Sequence, residues 1–154
     1  MTTYVFDTSA FIEGWVRLYP PDAFPRVWEQ MSSLVDEGRV IAPEEVLSEL
    51  QVGDDAVHAW VKARSGTIVI PTSRALMLEA RAILADHKHL TKNGTGRSPA
   101  DPFVIGLANV RTCPVVTQER GGSASKPRIP YVCQHRNVAC MTLLEMIRAE
   151  GWTF

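Results

Sequence analysis

Residues 4–11 of the chain read YVFDTSAF. The apolar run at residues 4–6 is typical of a short buried strand, and it stops at Asp7. Asp7, Thr8 and Ser9 carry the side-chain oxygens that favour the first turn of a helix. The sequence therefore predicts a strand that runs straight into a helix, with an acidic residue at the junction.

The same alternation of strand and helix continues along the chain. Short apolar runs predict strands at residues 4–6, 39–42, 67–70, 115–117 and 138–141. Periodic or capped segments predict helices at residues 24–35, 43–50, 54–64, from 73, from 98 or 101, at 130–136 and from 142. Helical crossovers between strands favour a parallel sheet that is covered on both faces. We therefore expect a three-layer α/β/α fold with a central parallel sheet of about five strands, formed as one domain over residues 1–154.

Local signals predict where several helices begin. Pro43 is expected as the first residue of one helix, and Thr142 with Glu145 forms a capping box for the last. Ser98 can cap a further helix that has Pro99 first and Asp101 third, or Asp101 can be the cap itself. Asp101 lies at the beginning of that helix in either case.

Composition limits the class of protein. The chain has 154 residues, of which 45% are hydrophobic and 21% charged, as in an ordinary globular domain. No apolar run approaches the ~20 residues of a membrane span, and no basic stretch precedes an apolar one near residue 1. Three cysteines, an odd number, favour reduced thiols over a disulfide framework. We expect a cytoplasmic protein without membrane contact.

Charge is distributed unevenly although the net charge is only −1. Residues 1–60 contain eleven acidic side chains and three basic ones, whereas residues 87–136 contain eight basic side chains and two acidic ones. One interpretation is a divalent cation held by the acidic part and a polyanion held by the basic part. The other is two solvated faces of opposite charge.

Acidic residues recur where the predicted strands end. Asp7 ends the first strand, Glu119 lies just past the fourth, Asp101 opens a helix, and Glu45 and Glu49 share one face of the helix after the second strand. Sites in open parallel sheets form at the carboxyl ends of strands, where the strand order reverses. Crowded carboxylates repel each other unless a cation holds them, and ligands that are all oxygen suit Mg²⁺ or Mn²⁺.

Each acid also has an ordinary explanation when it is considered alone. Asp7 and Asp101 can be helix caps, Glu45 and Glu49 can be solvated helix residues, and Glu119 can be a loop residue. Convergence of the acids at one edge of the sheet is what favours the metal site.

Four segments together resemble the PIN-domain family. They are YVFDTSAFI with Asp7, PEEVLSEL with Glu49, ADPFVIGLA with Asp101, and VVTQE with Thr117 and Glu119. The resemblance covers nearly the whole chain in order and length. PIN domains are metal-dependent nucleases, and many are the ribonuclease toxins of bacterial toxin–antitoxin pairs.

The resemblance implies roles for particular residues. Asp7, Glu49, Asp101 and Glu119 fall on the four acidic positions of the family, as ligands of Mg²⁺ or Mn²⁺ that activates a water against an RNA phosphodiester. Thr8 or Ser9 supplies a supporting hydroxyl, and Glu45 and Thr117 are further supporting candidates. The chain departs from the family at Glu119, because the fourth position is usually the aspartate of a T-x-D pattern. A cognate antitoxin and a homodimer are also implied.

Basic residues of the chain are candidates for contact with the RNA backbone. Their structural alternative is again a solvated face. The candidates are Arg120, Lys126, Arg128, Lys92 and Arg97.

Two other functions remain open at this point. A PIN-like fold without catalysis could bind RNA or a protein, and a metallophosphatase could use the same acids on a small phosphoester. A P-loop nucleotide-binding protein and a structural zinc protein are not expected, because the chain lacks a P-loop motif and the paired ligand spacing of a zinc site.

Overall fold

A computed structural model describes residues 1–91 and 99–154, and a parallel sheet forms the centre of this part of the chain. Its strands are β1 (Tyr4–Phe6), β2 (Val40–Pro43), β3 (Val69–Ile70), β4 (Val115–Val116) and β5 (Cys140–Met141). Their order across the sheet is β3-β2-β1-β4-β5. The strand order reverses between β1 and β4, so a site is expected at the carboxyl ends of these two strands.

Helices connect the strands and flank the sheet. They are α1 (Thr8–Glu13), α2 (Pro25–Asp36), α3 (Glu44–Gly53), α4 (Asp55–Ala63), α5 (Ser65–Ile68), α6 (Arg74–Asp86), α7 (Asp101–Arg111), α8 (Ile129–Arg136) and α9 (Leu143–Ala149), with a π-helical turn, Gly14–Leu18, directly after α1. The predicted α/β fold with about five parallel strands is confirmed. Within the described ranges, no helix combines the length and apolar character needed to cross a membrane.

Strand β1 is the centre of the sheet and is completely covered. Val5 lies opposite Ile41 of β2 on one side and opposite Val115 of β4 on the other. Each residue of β1 is at most 1% exposed, as expected for a parallel strand with helices on both faces. A carboxylate placed directly after this strand therefore begins in a desolvated environment.

Several local predictions are confirmed. The apolar face of α2 is buried, and Gly38 follows that helix with a φ of +72°, a conformation that glycine adopts without a steric penalty. Thr142 and Glu145 form the expected reciprocal capping box of α9. All three cysteines are free thiols.

Other boundaries differ from the prediction. Pro43 ends β2 in an extended conformation with ψ of 158°, so α3 begins one residue later than expected. The amides of Thr67 and Ile68 donate to the carbonyl of Arg64, which makes these two residues a helical turn and shortens β3. The fourth and fifth strands are also shorter than predicted, at two residues each.

Helix α7 begins at Asp101, with Ala100 in the N-cap position. Asp101 is thus the first helical residue, neither the third residue nor the cap. The amides of Phe103 and Val104 donate to the carbonyl of Ala100, which fixes this start. Ser98, the alternative cap, lies outside the described residues.

The amino end of β1 is held by a polar network. Arg39 donates to the carboxylate of Glu150 at 2.6 Å and to the carbonyl of Thr2 at 2.7 Å, and the Tyr4 hydroxyl donates to Glu150 as well. Burial alone would raise the pKa of Glu150, but the hydrogen bonds from Tyr4 and Arg39 hold it below its usual range. This network fastens the end of α9 to the sheet.

Candidate active site

Asp7 and Thr117 lie side by side at the carboxyl ends of β1 and β4. The Thr117 hydroxyl donates a hydrogen bond of 2.9 Å to Asp7 Oδ2, and the Ser9 hydroxyl donates one of 2.6 Å to the same oxygen. Asp7 and Thr117 are 2% and 1% exposed. Within the described chain, Oδ1 of Asp7 receives no comparable bond, which leaves it available to another ligand.

Asp7 does not act as a helix cap. It occupies the N-cap position of α1 in an extended conformation, but its side chain accepts no hydrogen bond from the helix backbone. The capping explanation of this acid is therefore wrong, and its carboxylate is instead oriented by two hydroxyls.

The same two hydroxyls also fix the chain that follows β4. Ser9 Oγ accepts a hydrogen bond from the backbone amide of Gln118 at 3.0 Å, and Thr117 Oγ1 accepts one from the amide of Glu119 at 3.1 Å. Glu119 Oε2 then accepts from the amide of Ile129 at 3.0 Å, at the start of α8. A carboxylate is favoured there because helix N-termini carry partial positive charge. Glu119 is thus tied at its backbone and at its side chain.

Glu49 joins three segments of the site. Its Oε1 accepts a hydrogen bond of 2.6 Å from the Thr8 hydroxyl on α1, and its Oε2 accepts one of 3.3 Å from the amide of Ala100. Ala100 directly precedes Asp101, which is fully buried. These contacts bring α3 and the beginning of α7 to the end of β1.

Three of the four predicted acids line one open cleft, which we call the acidic cleft. Its volume is about 290 Å³, and it is lined by Asp7, Glu49 and Glu119 together with Thr8, Ser9, Ile12 and Glu13. Asp101 is buried and does not line it. Glu45 lies one turn before Glu49 and outside the acidic cleft, and burial raises its pKa above the usual range.

Electrostatics in the acidic cleft favour a cation. The pKa of Asp7 is raised to about 6, chiefly by burial and also by the charges of Glu119 and Glu49, against hydrogen bonds from Ser9 and Thr117 that lower it. A cation beside Asp7 would act in the opposite direction and stabilise the ionised carboxylate.

The donor set fits a hard divalent ion. Carboxylate and hydroxyl oxygens are the ligands that Mg²⁺ prefers, and Mg²⁺ commonly keeps several waters while it takes only one or two carboxylates directly. In the part of the chain that the structure describes, no three His, Cys, Asp or Glu side chains lie close enough together to hold a metal ion among them. An ion bound here would therefore have to take few carboxylates directly and keep several waters.

The predicted basic residues lie beyond Glu119. Arg120 and Lys126 are exposed, and Arg128 is half-buried at the N-cap of α8. Lys92 and Arg97 lie outside the described residues. Arg136 of the same basic part of the chain is engaged, since it pairs with Glu79 and Asp86.

Sequence reasoning missed Ile12, Glu13 and Gln118. Ile12 and Glu13 face the acidic cleft one turn after Thr8 and Ser9, a spacing on α1 that could have signalled them. Gln118 Oε1 accepts from the amide of Leu143 at 2.8 Å and joins the end of β4 to α9. No sequence signal marks that long-range bond.

A five-stranded parallel sheet of this order, with helices around it, is a PIN-like fold. The chain belongs to the family described as "Domain of unknown function (DUF4411)", whose model matches residues 4–154. No curated protein matches the chain significantly.

Solved structures share the fold at low sequence identity. A chain of DNA-bound VapBC from Salmonella typhimurium superposes with a TM-score of 0.58 at 19% identity, covering 92% of this chain and 98% of that one. FitAcB from Neisseria gonorrhoeae gives a TM-score of 0.52 at 19% identity, with coverage of 90% and 96%. VapBC2 from Rickettsia felis, bound to a DNA fragment from their promoter, gives 0.57 at 13% identity, with coverage of 92% and 98%.

Proposed function

We propose that the protein is a Mg²⁺- or Mn²⁺-dependent endoribonuclease and the toxin of a toxin–antitoxin pair. The observation that carries the proposal is the acidic cleft, which Asp7, Glu49 and Glu119 line where the strand order reverses. The PIN-like fold and the resemblance of the four acidic segments to PIN-domain nucleases support the same activity.

The side chains divide the work of phosphodiester hydrolysis. A bound Mg²⁺ or Mn²⁺ supplies a more acidic water and neutralises charge on the leaving oxygen. Asp7, Glu49 and Glu119 would hold the ion directly or through water, and Asp101, which is buried and does not line the acidic cleft, stays a predicted fourth ligand. Ser9 and Thr117 keep Asp7 in one orientation, since both donate to Oδ2. Thr8 does the same for Glu49 through a bond of 2.6 Å.

RNA would approach along the basic residues that follow Glu119. Arg120, Lys126 and Arg128 can neutralise backbone phosphates beside the cleaved one. Lys92 and Arg97 remain candidates for the same role.

We further propose a protein partner that silences the site. The structural neighbours VapBC, VapBC2 and FitAcB support a protein partner, and VapBC and VapBC2 were solved with DNA. An antitoxin segment would cover the acidic cleft and present an arginine or lysine to its carboxylates. Expression of the folded protein without its partner is then expected to arrest growth, and harmless expression would contradict the toxin role. A homodimer stays a prediction.

The test of nuclease activity is incubation of the purified protein with total RNA in Mg²⁺, in Mn²⁺ and in chelator. Cleavage should require a metal, and Asp7→Asn and Asp101→Asn should each abolish it while keeping the shape of the side chain. Asp22→Asn, at an exposed acid outside the acidic cleft, is the matched control and should cleave normally. Cleavage at the normal rate by either site variant would show that the replaced residue is not a metal ligand.

A PIN-like module that binds without catalysis is the second candidate. It is favoured by the hydrogen bonds that Glu49 and Glu119 already accept from Ala100 and Ile129, since these occupy carboxylate oxygens. Binding of RNA without cleavage in either metal would support this alternative.

A further inference from the structure

A second cavity adjoins the acidic cleft on the far side of Glu119. We call it the side cavity, and its volume is about 450 Å³. Glu119 lines both spaces, so the two are neighbours, and an RNA strand bound in the acidic cleft can extend into the side cavity. The residues that matter for its chemistry are Glu119, Arg120, Pro130, Cys140, Met141 and Glu145.

The charges of the side cavity suit a base better than a phosphate. Two carboxylates, those of Glu119 and Glu145, and one guanidinium, that of Arg120, line the side cavity, so a phosphate group inside would meet a net negative charge. Pro130, Cys140 and Met141 are half-buried and offer an apolar surface on which a flat ring can stack. The volume is in the range that holds a small organic ligand.

Glu145 adds a directional group. Its Oε1 accepts both the amide and the hydroxyl of Thr142, at 3.2 and 3.0 Å, and so completes the capping box of α9. Among the described residues, no donor bonds to its Oε2. An ionised carboxylate only accepts hydrogen bonds, so this oxygen selects a ligand that donates one.

We propose that the side cavity holds the base of a nucleotide next to the cleaved bond, and that Glu145 selects a base with an exocyclic amino group. Cytosine, adenine and guanine carry such a donor, whereas uracil has a carbonyl oxygen at the position of the cytosine amino group. Arg120 at the rim contacts the adjoining phosphate. The inference rests on the proposed function, because it assigns the base preference of that site.

Cytidine and uridine make a matched pair of probes of similar size, since cytosine has an amino group on C4 and an acceptor at N3 where uracil has a carbonyl on C4 and a hydrogen on N3. Fluorescein-labelled ten-residue oligo-cytidine and oligo-uridine are titrated with the protein in Ca²⁺, and affinity is read by fluorescence anisotropy. Wild type should bind oligo-cytidine about tenfold more tightly, the effect of one hydrogen bond to a charged group. Equal affinities would overturn the proposal.

Glu145→Gln tests the residue itself. Glutamine also serves at this position of a capping box, so α9 should keep its stability, which urea unfolding checks. The amide replaces an acceptor by a donor, and the preference for cytidine should vanish or reverse. Glu29→Gln removes one exposed carboxylate from α2 and should leave the preference intact. An undiminished preference in Glu145→Gln would assign the discrimination to another group and overturn the role of Glu145.

The outcomes separate this inference from the proposed function. Metal-dependent cleavage of RNA without any cytidine preference contradicts only the base-binding role of the side cavity. A cytidine preference that depends on Glu145, in a protein that never cleaves, contradicts the nuclease alone. Failure to bind either oligonucleotide contradicts both.

Discussion

Thr117 Oγ1 lies 2.9 Å from Asp7 Oδ2, and this single contact joins residues 110 positions apart in the chain. It links the carboxyl ends of the two strands between which the strand order reverses. The same hydroxyl accepts the amide of Glu119. One buried threonine thus relates the first acid of the site to the last.

Thr117→Val tests this link. Because the hydrogen bond from Thr117 lowers the pKa of Asp7, its loss should raise that pKa above about 6. Thr117→Ser keeps the hydroxyl and should leave the pKa near its present value. Carbon-detected NMR titration of the Asp7 carboxyl measures both variants in chelator. An unchanged pKa in Thr117→Val would show that the hydroxyl does not govern this carboxylate.

Stability of the metal-free protein should depend on pH through Asp7. The folded-state pKa of about 6 exceeds the ordinary value of 3.8, so the folded protein keeps a proton that the unfolded chain releases. The resulting stabilisation is complete below about pH 4 and is lost as the pH rises through 6. By pH 7.5 the loss amounts to at most about 3 kcal/mol.

Asp7→Asn isolates that contribution, since the amide does not titrate. In chelator, the variant should gain stability relative to wild type as the pH rises from 4 to 7.5, and the two chains should be compared by urea unfolding at both pH values. Other titrating groups, such as Glu150, contribute equally to the pH dependence of both proteins, so their contributions cancel in this difference. A markedly less stable variant at pH 7.5 would argue that Asp7 is held ionised and structural.

Gly122 should be the most sensitive residue of the loop after β4. Its φ is +112°, and a Cβ there would lie 2.8 Å from the backbone nitrogen of Arg128 and 2.7 Å from Tyr131 Cβ. Gly122→Ala should lower the free energy of unfolding by about 3 kcal/mol and weaken RNA binding, because the loop cannot close onto α8.

Gly121 provides the matched control for this loop. Its φ is +70°, but apart from Gly121 and its two chain neighbours no atom of the described residues lies within 4 Å of the position of a Cβ. Gly121→Ala should therefore lower the free energy of unfolding by only about 1 kcal/mol, the cost of the left-handed conformation, and should bind RNA normally. Equal losses in the two variants would mean that the close approach to α8 contributes nothing.

Salt dependence distinguishes an RNA enzyme from a phosphatase of small phosphoesters. Replacing Arg120, Lys126 and Arg128 by alanine should reduce the slope of log affinity against log salt by about two units for single-stranded RNA, at roughly 0.7 for each phosphate contact. Alanine at the exposed Arg26, Arg74 and Arg81 changes the net charge equally and should leave the slope intact. The affinities are measured in Ca²⁺.

If the first triple variant keeps the full slope, these residues do not touch the backbone. The path of the RNA would then have to follow the residues around Lys88 and Lys92.

Local patterns predicted much of the fold. Three features are present as predicted: the strand that ends before Asp7, the apolar face of α2, and the capping box of Thr142 and Glu145. Each depends on residues only a few positions apart. The start of α3 was misplaced because proline fits both the end of a strand and the start of a helix. The helical turn at residues 65–68 was missed, since its hydrogen bonds depend on where α4 ends.

The site was predictable as a set of residue types and not as a set of contacts. Their positions at predicted strand ends and on the helix after the second strand, together with the resemblance to PIN domains, predicted that Asp7, Glu49 and Glu119 lie near one another. The sequence could not tell that Ser9 and Thr117 share one oxygen of Asp7, or that Glu119 bonds to the amide of Ile129. Such bonds depend on tertiary packing between segments far apart in the chain, for which no local pattern exists.

The polar network around Arg39 has a practical consequence for labelling. Arg39 contacts both Thr2 and Glu150, so these two residues lie together at the amino edge of the sheet. The acidic cleft opens at the opposite, carboxyl edge. A fluorophore or fusion partner attached next to either residue would lie away from the acidic cleft. Two dyes placed there would lie close together in the folded protein, and a drop in energy transfer between them would report unfolding. Neither dye would lie at the acidic cleft.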